Sequence, residues 1–585
     1  MQMIPYRKTV RTIFAFIVSA ISILNVACGQ SKNEKIENLI NVYLKNGKFN
    51  GSVLLAEKGN VIYKNGFGMA NMEWKIPNRP DTKFRLASVT KQFTSMLILQ
   101  LVSENKLKLD VPITTYLPDY PHKTGDIITI HHLLTHTSGI PNYTSFPVFH
   151  EMMRDTYTPT DMVKLFADST LEFTPGERFS YSNSGYILLG CIIEKVCGDT
   201  YEHELQKRIF GPLKMINSGY EHVDVVTNNR AAGYYRIGTS FQNSGYIDMS
   251  VPFSAGAIYS TVEDMYLWDQ ALYTEKLLPK KYMDLLFSKH IPDHDNSYGY
   301  GWQLGDMRIG NTQNKVYTIS HSGFINGFNT QITRIPSDKS LIVLLNNTGG
   351  APLDEMTTAL IGILYDQPYD LPKNSLAYAL SEQFEKNDFD AAVSYYKKIK
   401  DSNDYRIDEN EMNSSGYEFL GKGKIKEAAF LFKLNVDAFP NSFNVYDSYG
   451  EALLALGNKK EAIENYTKSV QLNPGSKAGL RVLKEAGINT DTLIKKVPIE
   501  FLKLLEGEYV ILNPPSGSDK YWKIKFNELQ GELFGQDGGY RYKLVPLSDH
   551  EFVNPDDGAS LIFDASDKTA ITMMFARKFK FKKVI

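Results

Sequence analysis

Ser88 and Lys91 are the residues whose types and spacing point most directly to covalent chemistry. Three apart on a helix, a hydroxyl and an amine share one face. A serine beside an amine in a buried setting is an activatable nucleophile. Burial lowers a lysine's pKa and leaves the amine able to accept a proton. The stretch from Phe84 to Leu97 carries the pair, and the apolar spacing predicts a helix over 87–105. Phe93, Met96, Leu97, Ile98, Leu99, Leu101 and Val102 cover most of its circumference, as in a helix that runs through a domain interior. Ser88 then stands at the positive end of the helix dipole. The plainer reading is a serine that starts a helix and a lysine that snorkels from it. The pair alone does not decide between them.

Other residues share the chemical interest. Tyr181 and Asn183 follow the Pro175-Gly176 turn and precede an apolar run predicting a helix over 184–196, so both sit on a loop at a helix start. His321 and Gly323 lie in a run, 317–324, that reads as an edge strand, with further strands at 328–334 and 341–345. Taken alone, His321 reads as a surface histidine, and Gly323 lets another backbone or a substrate approach closely. His132 and His136 have the four-residue spacing of helical zinc ligands. Leu133 stands where a zinc hydrolase needs glutamate, so a short helix ending at Gly139 is expected, with no metal.

The positioning elements follow from pattern. Two β-prone runs between Gly51 and Phe67 flank Gly59-Asn60 and predict a hairpin. Thr261 with Asp264 starts a helix through Trp268 and Leu272. Cys191 and Cys197 point in different directions on one helix and read as small buried hydrophobes. A net charge of -2 gives no reason to expect nucleic acid. Arg7, Lys8 and Arg11 before the apolar run 13–24 describe an export signal over 1–27. Cys28 is the expected lipidation site, although Asn25 stands where that pattern has leucine.

Behind a linker at 368–372 the pattern changes. Gly416, Glu427, Ala428 and Pro440 recur 34 residues later as Gly450, Glu461, Ala462 and Pro474, the period of tetratricopeptide helix pairs. The fragment 390–396 reads as an earlier, degenerate pair. From Leu505 on, short strands such as 508–512, 521–526, 540–545 and 560–563 predict a small barrel or closed sandwich. Its last strand alternates Phe579 and Phe581 with lysines and reads as a solvated edge.

Ser88-x-x-Lys91, Tyr181-x-Asn183 and His321-x-Gly323, in that order, resemble the serine β-lactamase and penicillin-binding-protein superfamily, in its class C branch. The phrases 132–141 and 298–302 extend the resemblance across residues 38 to 365. It implies an α+β domain with an antiparallel sheet, helices and an all-helical region. It implies Ser88 as acylated nucleophile, Lys91 as its base partner and Tyr181 as proton shuttle. Asn183 would bond Lys91 and the substrate amide, and the N–H groups of Ser88 and Phe324 would form the oxyanion hole. His321-Ser322-Gly323 departs from the usual Lys-Thr-Gly, which replaces a permanent cation by a mostly neutral group.

The chain is thus expected to be multidomain: an export signal at 1–27, a hydrolase domain at 33–367, helical repeats at 373–492 and a β domain at 497–585. The expected function is an exported serine hydrolase forming an acyl-enzyme on Ser88. Its expected substrates are cell-wall-related D-amino-acid peptides, small amides or esters, and β-lactams as a further class. Alternatives are a penicillin-binding sensor with little turnover, or a platform built on the repeats. No cofactor is expected. The expected partners are a small-molecule or peptide substrate, a protein at the repeats, and membrane only through a lipid at Cys28.

Overall fold

A computed structural model describes residues 30–584, apart from 239, 294–295, 494, 513–522, 530, 538–539, 556–557, 565–566, 568 and 576. The expected export signal and Cys28 lie outside the described residues, as does the expected strand start at Tyr521. Among the described residues no helix is long and apolar enough to cross a membrane.

The first unit is built on an eight-stranded antiparallel sheet. Its strands are β1 (Gly51–Glu57), β2 (Asn60–Phe67) and, after a hairpin of β3 (Tyr234–Ile237) and β4 (Ser240–Asn243) outside the sheet, β5 (Ile291–Asp293), β6 (Asn296–Tyr298), β7 (Gln303–Arg308), β8 (Lys315–Ile325), β9 (Phe328–Ile335) and β10 (Ser340–Asn346). The order is β5-β6-β7-β8-β9-β10-β1-β2, and β1 meets β10 with Gly51 opposite Asn346. Helices cover both faces, so the central strands read as continuous apolar runs. Val53 and Leu55 pack with α1 (Lys32–Lys45) and a helix at Leu353–Leu364. Leu54 and Ala56 enter the larger core shared with the helical half. The two ends of the unit meet, where Lys32 Nζ donates to the Leu364 carbonyl at 2.7 Å.

That helical half is strung between β2 and β5. Its centre is α2 (Thr90–Ser103), in which every residue from Thr90 to Leu101 is buried. Phe93 stacks on Trp268 with ring centres 4.4 Å apart, and the Trp268 indole N–H donates to Gln92. A single 3-10 turn, Ala87–Val89, precedes α2, so Ser88 sits just before the regular helix rather than within it. Helix α3 (Asn183–Cys197) packs beside α2 and ends at Gly198 in the left-handed conformation, a common helix stop. The helix at 130–134 stops at Leu134, short of the expected Gly139, and His136 lies beyond it at φ +57°. Cys191 and Cys197 are free and half-buried.

Strand β8 is not the expected edge strand, because β7 and β9 flank it. The register with β7 ends at Gln303 opposite Ser320, however. Among the described residues, His321 to Ile325 are laddered to β9 alone. The part of β8 that matters chemically therefore keeps one open side.

Among the described residues from 376 to 485, seven α-helices follow: α4 (Leu376–Lys386), α5 (Phe389–Ile399), α6 (Glu409–Gly421), α7 (Ile425–Ala438), α8 (Phe443–Ala455), α9 (Lys459–Leu472) and α10 (Lys477–Glu485). The 34-residue period has a packing cause. A side chain at Gly416 would run into the Phe432 ring, and one at Gly450 into the Tyr466 ring, which stand one period apart. The last unit is a closed barrel of eight antiparallel strands, from Gly507–Ile511 to Arg577–Lys583. Its final strand pairs on both sides and turns Phe579 and Phe581 into the core. The expected solvated edge is a barrel stave, since closure leaves no edge.

Candidate active site

The backbone that carries Ser88 is held from three sides. Leu86 N–H donates to the Ile258 carbonyl at 2.8 Å, and the Thr330 hydroxyl donates to the Leu86 carbonyl at 2.7 Å. Arg85 grips Glu221 through both Nε and Nη2, and Glu221 is wholly buried. Ala87 adopts φ +50°, a left-handed conformation that costs an L-residue energy and survives only where neighbours over-determine it. Gly323 is the crossing point. A Cβ there would lie 2.2 Å from the Leu86 carbonyl oxygen and 2.5 Å from Thr330 Oγ1.

Lys91 is fully buried. Its Nζ lies 3.1 Å from Ser88 Oγ, 2.8 Å from Asn183 Oδ1 and 3.0 Å from the Ala255 carbonyl. Burial holds its pKa well below the ordinary amine range. Of the three partners, Asn183 Oδ1 and the Ala255 carbonyl can only accept, so Ser88 Oγ is the one that can give a proton to the amine. Asn142, which the sequence reading passed over, orients Asn183. Its Oδ1 accepts from Asn183 N–H at 3.1 Å and from Nδ2 at 3.3 Å, which turns Asn183 Oδ1 towards Lys91. Its only signal was its place directly after the 132–141 phrase.

Tyr181 is half-buried, with its ring centre 4.8 Å from Lys91 Nζ and 4.3 Å from the His136 ring centre. His321 is 4% exposed, not the surface histidine read from the strand alone. It ends a directed chain of hydrogen bonds. Ser182 N–H donates to His136 Nδ1 at 3.1 Å, which assigns the His136 proton to Nε2, facing the Tyr298 hydroxyl at 3.3 Å. That hydroxyl donates to His321 Nε2 at 2.9 Å, and His321 Nδ1–H donates to the Ser322 carbonyl at 2.6 Å. Burial, with the neighbouring Lys91 adding to it, pushes His321 down to about 3, so the ring is neutral at physiological pH. His132 does not join His136 as a ligand pair: its Nδ1 accepts from Thr129 N–H.

These groups open on a cleft of about 520 Å³. Ser88, Tyr181, Asn183, His321 and Phe324 all line it, and Gly323 lies beneath its wall. Among the described residues lining it, none is Asp, Glu, Lys or Arg. Phe324 is 60% exposed, and Tyr143, Phe149, Ile247 and Val251 complete an apolar wall. A buried lysine amine with a depressed pKa, 3.1 Å from a serine hydroxyl and beside a cleft of this size, is an arrangement for acyl transfer.

Comparison with known proteins agrees with that geometry. The family model described as Beta-lactamase matches residues 36–365, and one described as Tetratricopeptide repeat matches 443–476. The chain belongs to the Beta-lactamase family, and as such is a serine hydrolase of the β-lactamase and penicillin-binding-protein superfamily with tetratricopeptide repeats behind it. Penicillin-binding protein 4* of Bacillus subtilis (strain 168) is 30% identical over 366 residues, 59% of this chain and 78% of that protein. The putative penicillin-binding protein PbpX of the same organism is 31% identical over 316 residues, 54% of this chain and 74% of its own. The D-amino acid amidase of Ochrobactrum anthropi SV3, solved with L-phenylalanine, superposes with a TM-score of 0.51 at 26% identity. It covers 57% of this chain and 98% of its own.

Proposed function

We propose that this chain is an exported hydrolase that cleaves uncharged amides, esters or D-amino-acid peptides through an acyl-enzyme on Ser88. The observation that carries the reading is Lys91, buried with its amine shared among Ser88, Asn183 and Ala255. In this mechanism the neutral Lys91 amine takes the Ser88 proton as Oγ attacks the substrate carbonyl. The tetrahedral oxyanion sits on the N–H groups of Ser88 and Phe324, where such donors supply a large share of the rate. The Tyr181 hydroxyl passes the proton to the leaving amine or alcohol as the carbon–heteroatom bond breaks. Water then attacks the ester in reverse order, giving the acid and restoring Ser88. Asn183 holds Lys91 and hydrogen-bonds the substrate's amide.

The uncharged lining supports the choice among substrates. A free carboxylate entering it loses hydration and gains no cation, a loss that buried charges make good only through a partner. His321, neutral and with its proton spent on Ser322, offers none. Amides and esters fit this cleft better than carboxylate-bearing peptides or β-lactams. Export, and a lipid on Cys28, are part of the reading on the strength of the leader pattern alone.

Intact-protein mass spectrometry with a fluorophosphonate serine probe and with a penicillin tests the reading, with Ser88→Ala as control. The expected result is stoichiometric phosphonylation lost in Ser88→Ala, with turnover of nitrophenyl esters and D-amino-acid amides exceeding that of nitrocefin. Labelling that survives Ser88→Ala would overturn the nucleophile. A long-lived penicillin adduct without turnover would replace the hydrolase by an acylating sensor. N-terminal analysis of the protein recovered from cells tests the leader: residue 1 retained refutes export.

A further inference from the structure

The repeats touch the catalytic unit at a place that leads straight to the cleft. The hairpin β3–β4 leaves the end of the sheet, where Tyr234 N–H donates to Asn347 (3.0 Å) and Gly349 N–H donates to Tyr234 (2.8 Å). All four residues of β4 are exposed, so the hairpin has little core of its own. Its tip is held by the repeats instead. The Arg236 guanidinium lies 3.7 Å from the centre of the Tyr378 ring on α4, and Arg236 Nε donates to the Gly238 carbonyl at 3.0 Å. Ser240 Oγ donates to Glu418 on α6 at 3.1 Å. Close by, Lys48 and Arg406 converge on Glu411, which ties the same two units together again.

The other end of the hairpin runs into the site. Ser244 N–H donates to Gly233 at 2.9 Å, and Asn326 Nδ2 donates to the Gly245 carbonyl at 3.0 Å. Asn326 belongs to the turn between β8 and β9, two residues after Phe324. Beyond Gly245 the chain supplies Ile247, Val251 and Pro252 to the cleft wall. The described residues of 234–252 therefore carry a repeat contact at the hairpin tip and a cleft-wall contact at their far end.

We infer that Arg236 and Ser240, with Tyr378 and Glu418 across the interface, are positioning residues through which the repeat domain sets the cleft wall. They touch no substrate. They fix the hairpin, the hairpin fixes 245–252 and the β8–β9 turn, and these set how a bulky acyl group is received. The inference rests on the Ser88 reading for the reaction it modulates. A cation over an aromatic face and one hydroxyl–carboxylate bond are modest, partly exposed interactions, so the contact is one that binding at the repeats can alter.

The test uses the full chain, its Arg236→Ala, Glu418→Ala and Arg236→Lys variants, and two esters of one alcohol, one with a phenylacetyl and one with an acetyl acyl group. Arg236→Ala and Glu418→Ala should raise KM for the bulky ester at least fivefold. The kcat, the acetyl-ester kinetics and the fluorophosphonate labelling rate should stay within twofold. Arg236→Lys, which keeps a cation over Tyr378, should recover most of the KM. A purely structural role would lower kcat for both esters together and leave KM alone, and that result overturns the inference. Hydrogen exchange read over 244–252 gives a measure independent of turnover: it should speed up at least fivefold in both alanine variants while α2 is unchanged. Unchanged exchange there overturns the coupling whatever the kinetics show. Failure of the parent chain to react with the fluorophosphonate would refute the hydrolase reading alone, and the exchange arm would still decide the coupling.

Discussion

Gly323→Ala should disable the site while leaving the fold standing. The added methyl carbon would lie 2.2 Å from the Leu86 carbonyl oxygen. Carbon–oxygen contacts ordinarily stop at about 3.3 Å, so the two backbones must part by about 1 Å. The relief cannot come from a flexible side chain, because the nearest atom is main chain. The Leu86 carbonyl that must retreat is the acceptor for Thr330, and it stands two residues before Ser88. A shift of that size at a reacting group costs about 100-fold in rate, or about 2.7 kcal/mol of transition-state stabilisation. The measurement is kcat/KM for a nitrophenyl ester, with the fluorophosphonate labelling rate and the thermal midpoint recorded alongside. Gly421→Ala, at the end of α6 with open space around it, is the control for a glycine-to-alanine change and should stay within threefold. If Gly323→Ala keeps kcat/KM within threefold in a folded protein, the close crossing is not what places Ser88, and the account of the site's framework fails.

Asn142→Ala frees the Asn183 amide to turn its NH2 towards Lys91, and kcat/KM should fall at least tenfold, as for one lost buried hydrogen bond. Asn142→Asp keeps the acceptor but adds a negative charge near Lys91. It should restore part of the rate and move the acid limb of the pH profile to higher pH. The pH dependence of stability follows from His321, whose folded pKa near 3 lies below the unfolded value of about 6.5. The unfolded chain takes up that proton first, so the contribution of His321 is complete above about pH 6.5 and is lost as pH drops towards 3. The loss at pH 5 is about 2 kcal/mol, with His131, pushed down to about 4 chiefly by burial, acting in the same direction. Urea midpoints that are equal at pH 7 and pH 5 would refute it. Asp269→Ala strands the buried Arg334 guanidinium, 2.6 Å from its carboxylate, and should cost about 3–5 kcal/mol in denaturant titration. A loss below 1 kcal/mol would show the pair to be dispensable.

Residues whose chemistry lies within a few positions of each other were legible from sequence. The spacing of Ser88 with Lys91, and the turn before Tyr181 and Asn183, are local, and the structure sets all four around one cleft. The hairpin at Gly59 and the 34-residue helix pairs were legible for the same reason. Contacts between distant segments were not. Alternation identifies β8 as a strand but says nothing of its neighbours, so a strand flanked on both sides read as an edge. The last barrel strand failed likewise, because closure is a property of eight strands together. His136 and Tyr298 are 162 positions apart, and no periodicity announces that they fix the proton of His321. Helical spacing paired His132 with His136 only until the helix proved to stop at Leu134. Ala87 carried no signal at all, since its left-handed conformation is imposed by what surrounds it.

The bond from Lys32 to the Leu364 carbonyl means that the chain enters and leaves the catalytic unit at one spot. Such a unit is a cassette. It can be spliced into a longer polypeptide, or swapped between chains, without its hosts having to bridge its width. Joining residues 32 and 364 by a short linker, and opening new ends at the exposed turn beside Val226, should give a circular permutant with the same sheet. The same arrangement delays assembly. Strand β1 cannot find β10 until nearly three hundred residues have followed it, so this sheet closes late and folds slowly for its size.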